Sequence, residues 1–248
     1  MKKYLGGAYT AGITVLAALI GFILRLTQLD GGELTALIVC SVIACAAFLA
    51  LAFTRKPRRK YTDVLVRCLA DLLLTTLGGV VLLTGCAVGV ITGSGAARYI
   101  AVLGALAALV LLRAMMLRCQ SQPVNAAYYV PMILYYVARL FYDFRRWTID
   151  PAISDYCFML FAVICFMLAS YLAAGFCFDR GSRRSLAFFS CAGVYFGGVS
   201  MAGGGWETVL VYGGSSLMLL AYVWQSATPK LRKRRPGSRE PRNQIEEL

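Results

Sequence analysis

Eight mainly apolar runs, between 18 and 27 residues long, recur along the 248-residue chain with short polar connections between them. A helix needs about 20 such residues to cross the hydrocarbon core of a bilayer, which is about 30 Å thick. The sequence therefore predicts an all-α integral membrane protein, a polytopic bundle of eight transmembrane helices. We expect these helices at residues 8–25, 34–53, 65–91, 99–117, 125–144, 152–178, 185–203 and 207–226.

The fifth run, residues 125–144, is the most polar because it contains Pro131, Arg139 and Asp143. If this run were re-entrant, seven helices would cross and the two ends of the chain would lie on opposite sides. The basic residues favour eight crossings, because twenty of the 25 then lie on one side, as the positive-inside rule expects. The five left on the outer side are Arg25, Arg98, Arg139, Arg145 and Arg146.

The predicted organisation is one transmembrane helical domain, residues 1–228, followed by a basic, disordered cytoplasmic tail, residues 229–248. The first apolar run follows a basic start and has no convincing cleavage site, so we interpret it as an uncleaved span. Short loops and the basic start suggest a bacterial cytoplasmic membrane. We therefore expect an integral protein of the plasma membrane, surrounded by the lipid bilayer, with both termini in the cytoplasm.

Composition excludes several kinds of site. The net charge of +13 comes from basic loops and the tail, as membrane topology requires, so we expect no nucleic-acid partner. The chain contains no histidine, which excludes His-based zinc sites and Ser-His-Asp triads. Its nine cysteines lie almost entirely in apolar runs without a CxxC pair, which is typical of reduced packing residues. We therefore predict neither a metal ion nor a cofactor.

The segment ARLFYDFRRWTIDPAISDY, residues 138–156, concentrates three arginines and three aspartates in an otherwise apolar chain. Helical spacing places Arg139 four residues before Asp143, on one face with Tyr135 and Tyr142. Two interpretations remain open: a structural ion-pair network, or a polar vestibule that receives a solute. The predicted ligand-binding residues are Tyr135, Arg139, Tyr142, Asp143, Arg145, Arg146 and Asp155.

The turn between the fifth and sixth runs has its own signals. Asp150 followed by Pro151 is typical of a helix start, with the aspartate as N-cap. Arg145 and Arg146 end the preceding helix and are hypothetical contacts for an anion, while Trp147 has the position of an interfacial anchor. Some of the charges in this segment are thus expected to cap and anchor a tight turn.

A second charge pair is predicted near the inner surface. Arg67 lies four residues before Asp71, and Thr75 and Gly79 continue the same helical stripe. One interpretation is a packing seam with a structural ion pair. The other is that Asp71 binds a coupling cation or a proton at the inner end of a pathway whose outer end is Arg139, Asp143 and Asp155.

Three functions are compatible with these features. The first is a transporter or permease for a small solute or ion, or its membrane subunit. The second is a non-catalytic assembly protein that holds another membrane protein. The third is a lipid-modifying intramembrane enzyme, although no arrangement of nucleophile and base is visible. We expect a small solute or a membrane protein as partner, and no catalytic residue is assigned.

Overall fold

The computed structural model describes residues 2–55, 69–119, 124–147, 153–178 and 180–227. These residues form eight α-helices, and a single 3-10 turn, Ala126–Tyr128, precedes the fifth. The all-helical class is confirmed. The helices are α1 Lys2–Leu29, α2 Leu34–Phe53, α3 Leu69–Thr92, α4 Ala96–Cys119, α5 Val130–Trp147, α6 Ile153–Phe176, α7 Arg183–Met201 and α8 Trp206–Ala227.

Five helices, α1, α2, α3, α4 and α6, are long and apolar enough to cross a membrane. The other three are more polar, and two of them have a structural reason to be so. Most residues of α7, and more than half of those of α8, are buried against other helices. A helix shielded by its neighbours does not need an apolar surface on every side. The architecture is a helical bundle compatible with membrane embedding.

Three tight turns at one end of the bundle contain a glycine with a positive φ. These are Gly31, Gly95 and Gly203, with φ angles of 98°, 56° and 77°. Glycine adopts this left-handed conformation without the steric cost that a Cβ brings. The turns join α1 to α2, α3 to α4 and α7 to α8, and we call this side the glycine-turn end.

Helix α8 packs against α3, α7 and α1. Its contact with α3 is antiparallel and very close. A Cβ on Gly78 would lie 2.7 Å from the carbonyl oxygen of Gly214, and a Cβ on Gly85 would lie 2.9 Å from the backbone nitrogen of Val211. Small residues at such a seam let two backbones approach, which is a common way for membrane helices to pack.

Arginine side chains close the opposite side of the bundle, which we call the arginine end. Arg183 is buried, and its Nε donates to the carbonyl oxygen of Ser226 at 2.8 Å. Arg55 Nη1 donates to the same oxygen at 3.1 Å, and Arg184 Nε donates to the carbonyl oxygen of Arg55 at 2.8 Å. Because the last carbonyls of a helix lack partners within it, these guanidinium groups cap α8 and tie α2 and α7 to it.

Buried hydroxyl groups are largely satisfied by their own helices. Many bond to a carbonyl oxygen three or four residues earlier, so they are paired within the apolar interior. Such hydroxyls contribute to packing and do not by themselves indicate a site. Examples are Thr14, Ser41, Ser170, Ser200 and Ser215, with distances of 2.7–2.8 Å. Among the described residues, the buried hydroxyls of Ser190 and Ser216 are exceptions, with no hydrogen-bond partner.

Candidate functional site

Helix α5 carries the polar face predicted for the fifth run. It is uninterrupted from Val130 to Trp147, and Pro131 lies in its first turn, where a missing N–H breaks no helical hydrogen bond. Leu134 and Phe141 are exposed, as expected for an outward face. The opposite face directs the polar residues of α5 into the bundle.

Arg139 contacts acidic side chains from two different helices. Its Nε lies 3.4 Å from Oδ2 of Asp143, and its Nη1 lies 3.5 Å from Oε1 of Glu207 on α8. Nη1 also donates to Oη of Tyr135 at 3.4 Å. The guanidinium lies over the ring of Tyr212, 5.7 Å from its centroid. We call these five residues the Arg139 cluster.

The Arg139 cluster is buried unevenly. The side chains of Arg139 and Asp143 are 14% and 11% exposed, whereas that of Glu207 is 38% exposed. Withdrawing ions from water is costly, so a buried guanidinium needs its carboxylate partners. Both ion pairs are nevertheless longer than the roughly 2.7–2.9 Å of a short charge-assisted hydrogen bond. The more exposed carboxylate, that of Glu207, therefore has room to accept another donor.

A cavity of about 370 Å³ lies beside the Arg139 cluster, bounded by α4, α5, α6 and α8. Tyr142, Tyr156 and Thr208 add polar groups to its wall. Small-molecule sites typically have volumes of about 300–1,000 Å³. The remaining wall is apolar and consists of Ala97, Ile100, Ala101 and Met159.

An aromatic layer lies next to the Arg139 cluster, on its arginine-end side. The ring centroids of Tyr135 and Tyr136 are 5.2 Å apart, and those of Tyr136 and Phe166 are 5.6 Å apart. Phe166 in turn lies 5.9 Å from Tyr212. Tyr136 Oη donates to Ser215 Oγ at 2.9 Å, which joins α5 to α8 through side chains. These tilted aromatic contacts form a densely packed layer on the arginine-end side of the cavity.

Gly104 on α4 leaves space for the ring of Tyr135, which belongs to this aromatic layer. A Cβ at that position would lie 2.7 Å from Sγ of Cys86 and would also overlap the ring of Tyr135. The absence of a side chain on α4 thus allows the tyrosine to lie between helices, next to Arg139.

The structure brings four of the seven predicted ligand-binding residues to one place. Tyr135, Arg139 and Asp143 belong to the Arg139 cluster, and Tyr142 lines the cavity. Arg145 is exposed and does not line the cavity, and its role as an outer anion contact stays a prediction.

Other predictions for this segment fall outside what the structure describes. The side chains of Arg146, Trp147 and Asp155, together with residues 148–152, lie beyond the described parts of the chain. The predicted cap at Asp150 and the predicted ligand role of Asp155 remain predictions.

Glu207 and Tyr212 were not predicted from the sequence. Glu207 occurs in the stretch GGGWE, which reads as a short connection, and it lies in the first turn of α8. An acid at that position is also favourable simply because of the helix dipole. Its pairing with a residue 68 positions earlier is a property of the fold and leaves no local pattern.

Asp71, the described member of the predicted inner charge pair, lies apart from the cavity. Asp71 is buried, and Thr75 Oγ1 donates to its Oδ1 at 3.4 Å, while Arg67 lies outside the described residues. Gly89 contacts Glu207 from the other end of α3. At a rise of 1.5 Å per residue, Asp71 is about 27 Å from Gly89 along the helix. The two polar groups therefore do not form one site.

A larger cavity, of about 610 Å³, lies between α2, α6 and α7. Its lining is almost entirely apolar, with Ser41 and cysteines as the polar exceptions. It offers no charged group to a polar solute. Among the described residues, no group of three or more Cys, Asp or Glu side chains could hold a metal ion.

Comparisons of the chain with protein-family models, curated proteins and solved structures gave no match.

Proposed function

We propose that the protein is a multi-pass membrane transporter or permease, or the membrane subunit of one, that binds a small solute in the cavity beside Arg139. The observation that carries this proposal is a charged cluster, contributed by α5 and α8, that lines a cavity in an otherwise apolar bundle. Ionisable residues within membrane bundles are costly, and they commonly mark the path of an ion or solute.

The geometry favours a binding role over a purely structural ion-pair network. A network selected only to hold helices together would gain most from short, direct bonds. The two ion pairs of Arg139 measure 3.4 and 3.5 Å, and the cavity lies beside them. In many unliganded sites, polar contacts are long and shorten when the ligand is bound.

We infer that all eight helices cross the membrane. The three more polar helices contain 18, 19 and 22 residues. At 1.5 Å per residue they are about 27–33 Å long, which matches a hydrocarbon core of about 30 Å. The positive-inside rule then places the arginine end in the cytoplasm and the glycine-turn end outside the plasma membrane.

In this orientation the cavity faces the outer side, and the aromatic layer containing Tyr135 and Tyr136 separates it from the cytoplasm. Release of a solute on the inner side requires this layer to open while the outer side closes. Alternating access of this kind is the general mechanism of secondary transporters. The proposal thus assigns the described conformation to an outward-facing state.

The proposal is tested by comparing solute binding to the wild type with binding to a variant whose cavity is filled by a large side chain. The purified protein is unfolded thermally in the presence of amino acids, amines, organic acids, nucleosides and inorganic ions. A ligand present at a hundred times its Kd stabilises by about 2.7 kcal/mol. We expect at least one compound to stabilise the wild type and to lose its effect in Ala97→Phe, which places a large ring in the cavity. Uptake of that compound into proteoliposomes is measured next.

The control is Ala96→Phe. Ala96 neighbours Ala97 on α4, is exposed and does not line the cavity, so this variant should respond to the compound like the wild type. The proposal fails if no compound stabilises the wild type. It also fails if Ala97→Phe, still folded, keeps the full response, because binding would then lie elsewhere.

A further inference from the structure

The charged side chains that line the cavity have a negative sum. Among the described residues of its wall, Arg139 supplies one positive charge, and Asp143 and Glu207 supply two negative charges. In a partly dry cavity such an imbalance matters more than it would in water, because electrostatic interactions are less screened. The site therefore favours a solute that carries positive charge.

The exposure of the charged side chains also favours a positively charged solute. Glu207 is the most exposed charged group of the site, at 38%, whereas Arg139 is 14% exposed. The guanidinium has a carboxylate on Nε, another on Nη1, and the ring of Tyr212 over its carbon. An entering anion would meet Glu207 first and would have to displace a carboxylate to reach Arg139. A cation meets a carboxylate with acceptor capacity left.

The rest of the wall suits an organic cation better than a bare metal ion. Tyr142, Tyr156 and Tyr212 contribute three aromatic rings, and rings combined with carboxylates are typical of ammonium recognition. Ala97, Ile100, Ala101 and Met159 provide an apolar surface for the carbon part of such a solute. A bare inorganic cation prefers oxygen ligands on every side, and the part of the wall formed by Ala97, Ile100, Ala101 and Met159 offers no side-chain oxygen.

We propose that the cavity binds a small organic cation, an amine or a quaternary ammonium compound, with its charged nitrogen at Glu207 and its carbon body against α4 and α6. This inference rests on the proposed function, because it names the class of solute for the same cavity. It also assigns a role to Glu207, which provides the carboxylate closest to the opening, while Asp143 mainly balances Arg139.

The test compares solutes of matched shape. Choline and 3,3-dimethylbutan-1-ol differ only in having a charged nitrogen or a neutral carbon at the branched centre. Tetramethylammonium and acetate complete the set, and sodium chloride at equal concentration controls for ionic strength. We expect choline and tetramethylammonium to raise the midpoint of thermal unfolding. The neutral alcohol, acetate and sodium chloride should leave it unchanged.

Three variants test whether binding depends on Glu207. Glu207→Gln keeps the size of the side chain and removes its charge, and we expect at least a tenfold loss of apparent choline affinity. Glu33→Gln removes an exposed carboxylate from the α1–α2 turn and should leave the affinity unchanged. Glu207→Asp retains the charge, so it should recover part of the choline affinity that Glu207→Gln loses. Equal losses in the two variants would indicate a general effect of substitution at this position.

The results that would overturn the cation inference differ from those that would overturn the proposed function. If acetate or the neutral alcohol stabilises the wild type and Ala97→Phe abolishes that effect, the cavity binds a solute of another class; the cation inference is then wrong and the proposed function stands. Full retention of choline affinity in Glu207→Gln overturns the role of Glu207. If no solute of any class stabilises the protein, both proposals are overturned.

Discussion

Gly214 illustrates, at the scale of one residue, how closely two helices of this bundle approach. A Cβ at this position would overlap the backbone nitrogen of Leu82 and lie 2.8 Å from the carbonyl oxygen of Gly78. These are backbone atoms, so they cannot turn aside as a flexible side chain would. Only a shift of α3 relative to α8 would accommodate a methyl group.

We therefore predict that Gly214→Ala destabilises the protein by about 1–3 kcal/mol, the usual cost of overpacking. Chemical or thermal unfolding in detergent micelles measures the change. The matched control is Gly213→Ala, because a Cβ there meets only Met201 at an ordinary 3.6 Å. Alanine is the better helix former, so the control should be neutral or slightly stabilising. Equal losses in both variants would contradict this account.

Local spacing predicted part of the site and could not predict the rest. Arg139 and Asp143 lie four residues apart on one helix, and a single sequence is enough to pair them. Glu207 and Tyr212 reach the same guanidinium from α8, so their role depends on which helices become neighbours. Burial of Tyr136 was likewise not foreseen, since its partner Ser215 also lies on α8.

At the scale of helices, apolar periodicity predicted all eight elements, with boundaries within a few residues for most of them. The errors lie at the ends. The fifth helix begins at Val130, five residues later than predicted, because the 3-10 turn Ala126–Tyr128 precedes it. Composition alone could not show that α7 and α8 are largely buried, because their burial depends on which helices pack around them.

The arginine end yields a prediction about how helices are held together. Arg183→Lys keeps the positive charge, so the topological signal is unchanged, but it replaces the planar fork that donates from Nε and Nη2 to the carbonyl oxygen of Ser226. We expect a loss of stability of about 1–3 kcal/mol, as for weakened hydrogen bonds to a charged group. The midpoint of thermal unfolding in micelles measures it.

Arg180→Lys is the control for that experiment. Arg180 is exposed and precedes the same helix, so its replacement should change stability by less than about 0.5 kcal/mol. A similar loss in the two variants would mean that a lysine is tolerated poorly anywhere near this end. An unchanged Arg183→Lys would show that the bonds to Ser226 contribute little.

At the scale of the whole molecule, the number of crossings decides on which side each end of the chain lies. Eight crossings would put both ends on the same side, which the proposed orientation makes the cytoplasm, whereas a re-entrant α5 would separate them. We expect a fluorescent protein that matures only in the cytoplasm to fluoresce when fused to either end of the full chain. A phosphatase that is active only outside the cytoplasm should be inactive at both ends.

An epitope tag inserted in the turn at Gly31 and Gly32 provides the complementary measurement. This turn belongs to the glycine-turn end, so the tag should be accessible to antibody on intact cells. Phosphatase activity at one end of the chain and fluorescence at the other would establish an odd number of crossings. The orientation proposed for the cavity would then have to be reconsidered.

The central position of α8 has a consequence for the time course of biosynthesis. This helix is the last of the eight described, yet it packs against α3, α7 and α1. At about 5–20 residues per second, it leaves the ribosome roughly 7–27 seconds after α3 is complete. During that interval the glycine face of α3 has no helix α8 to cover it. Of the eight described helices, α8 is therefore the last to be inserted, although three earlier helices pack against it.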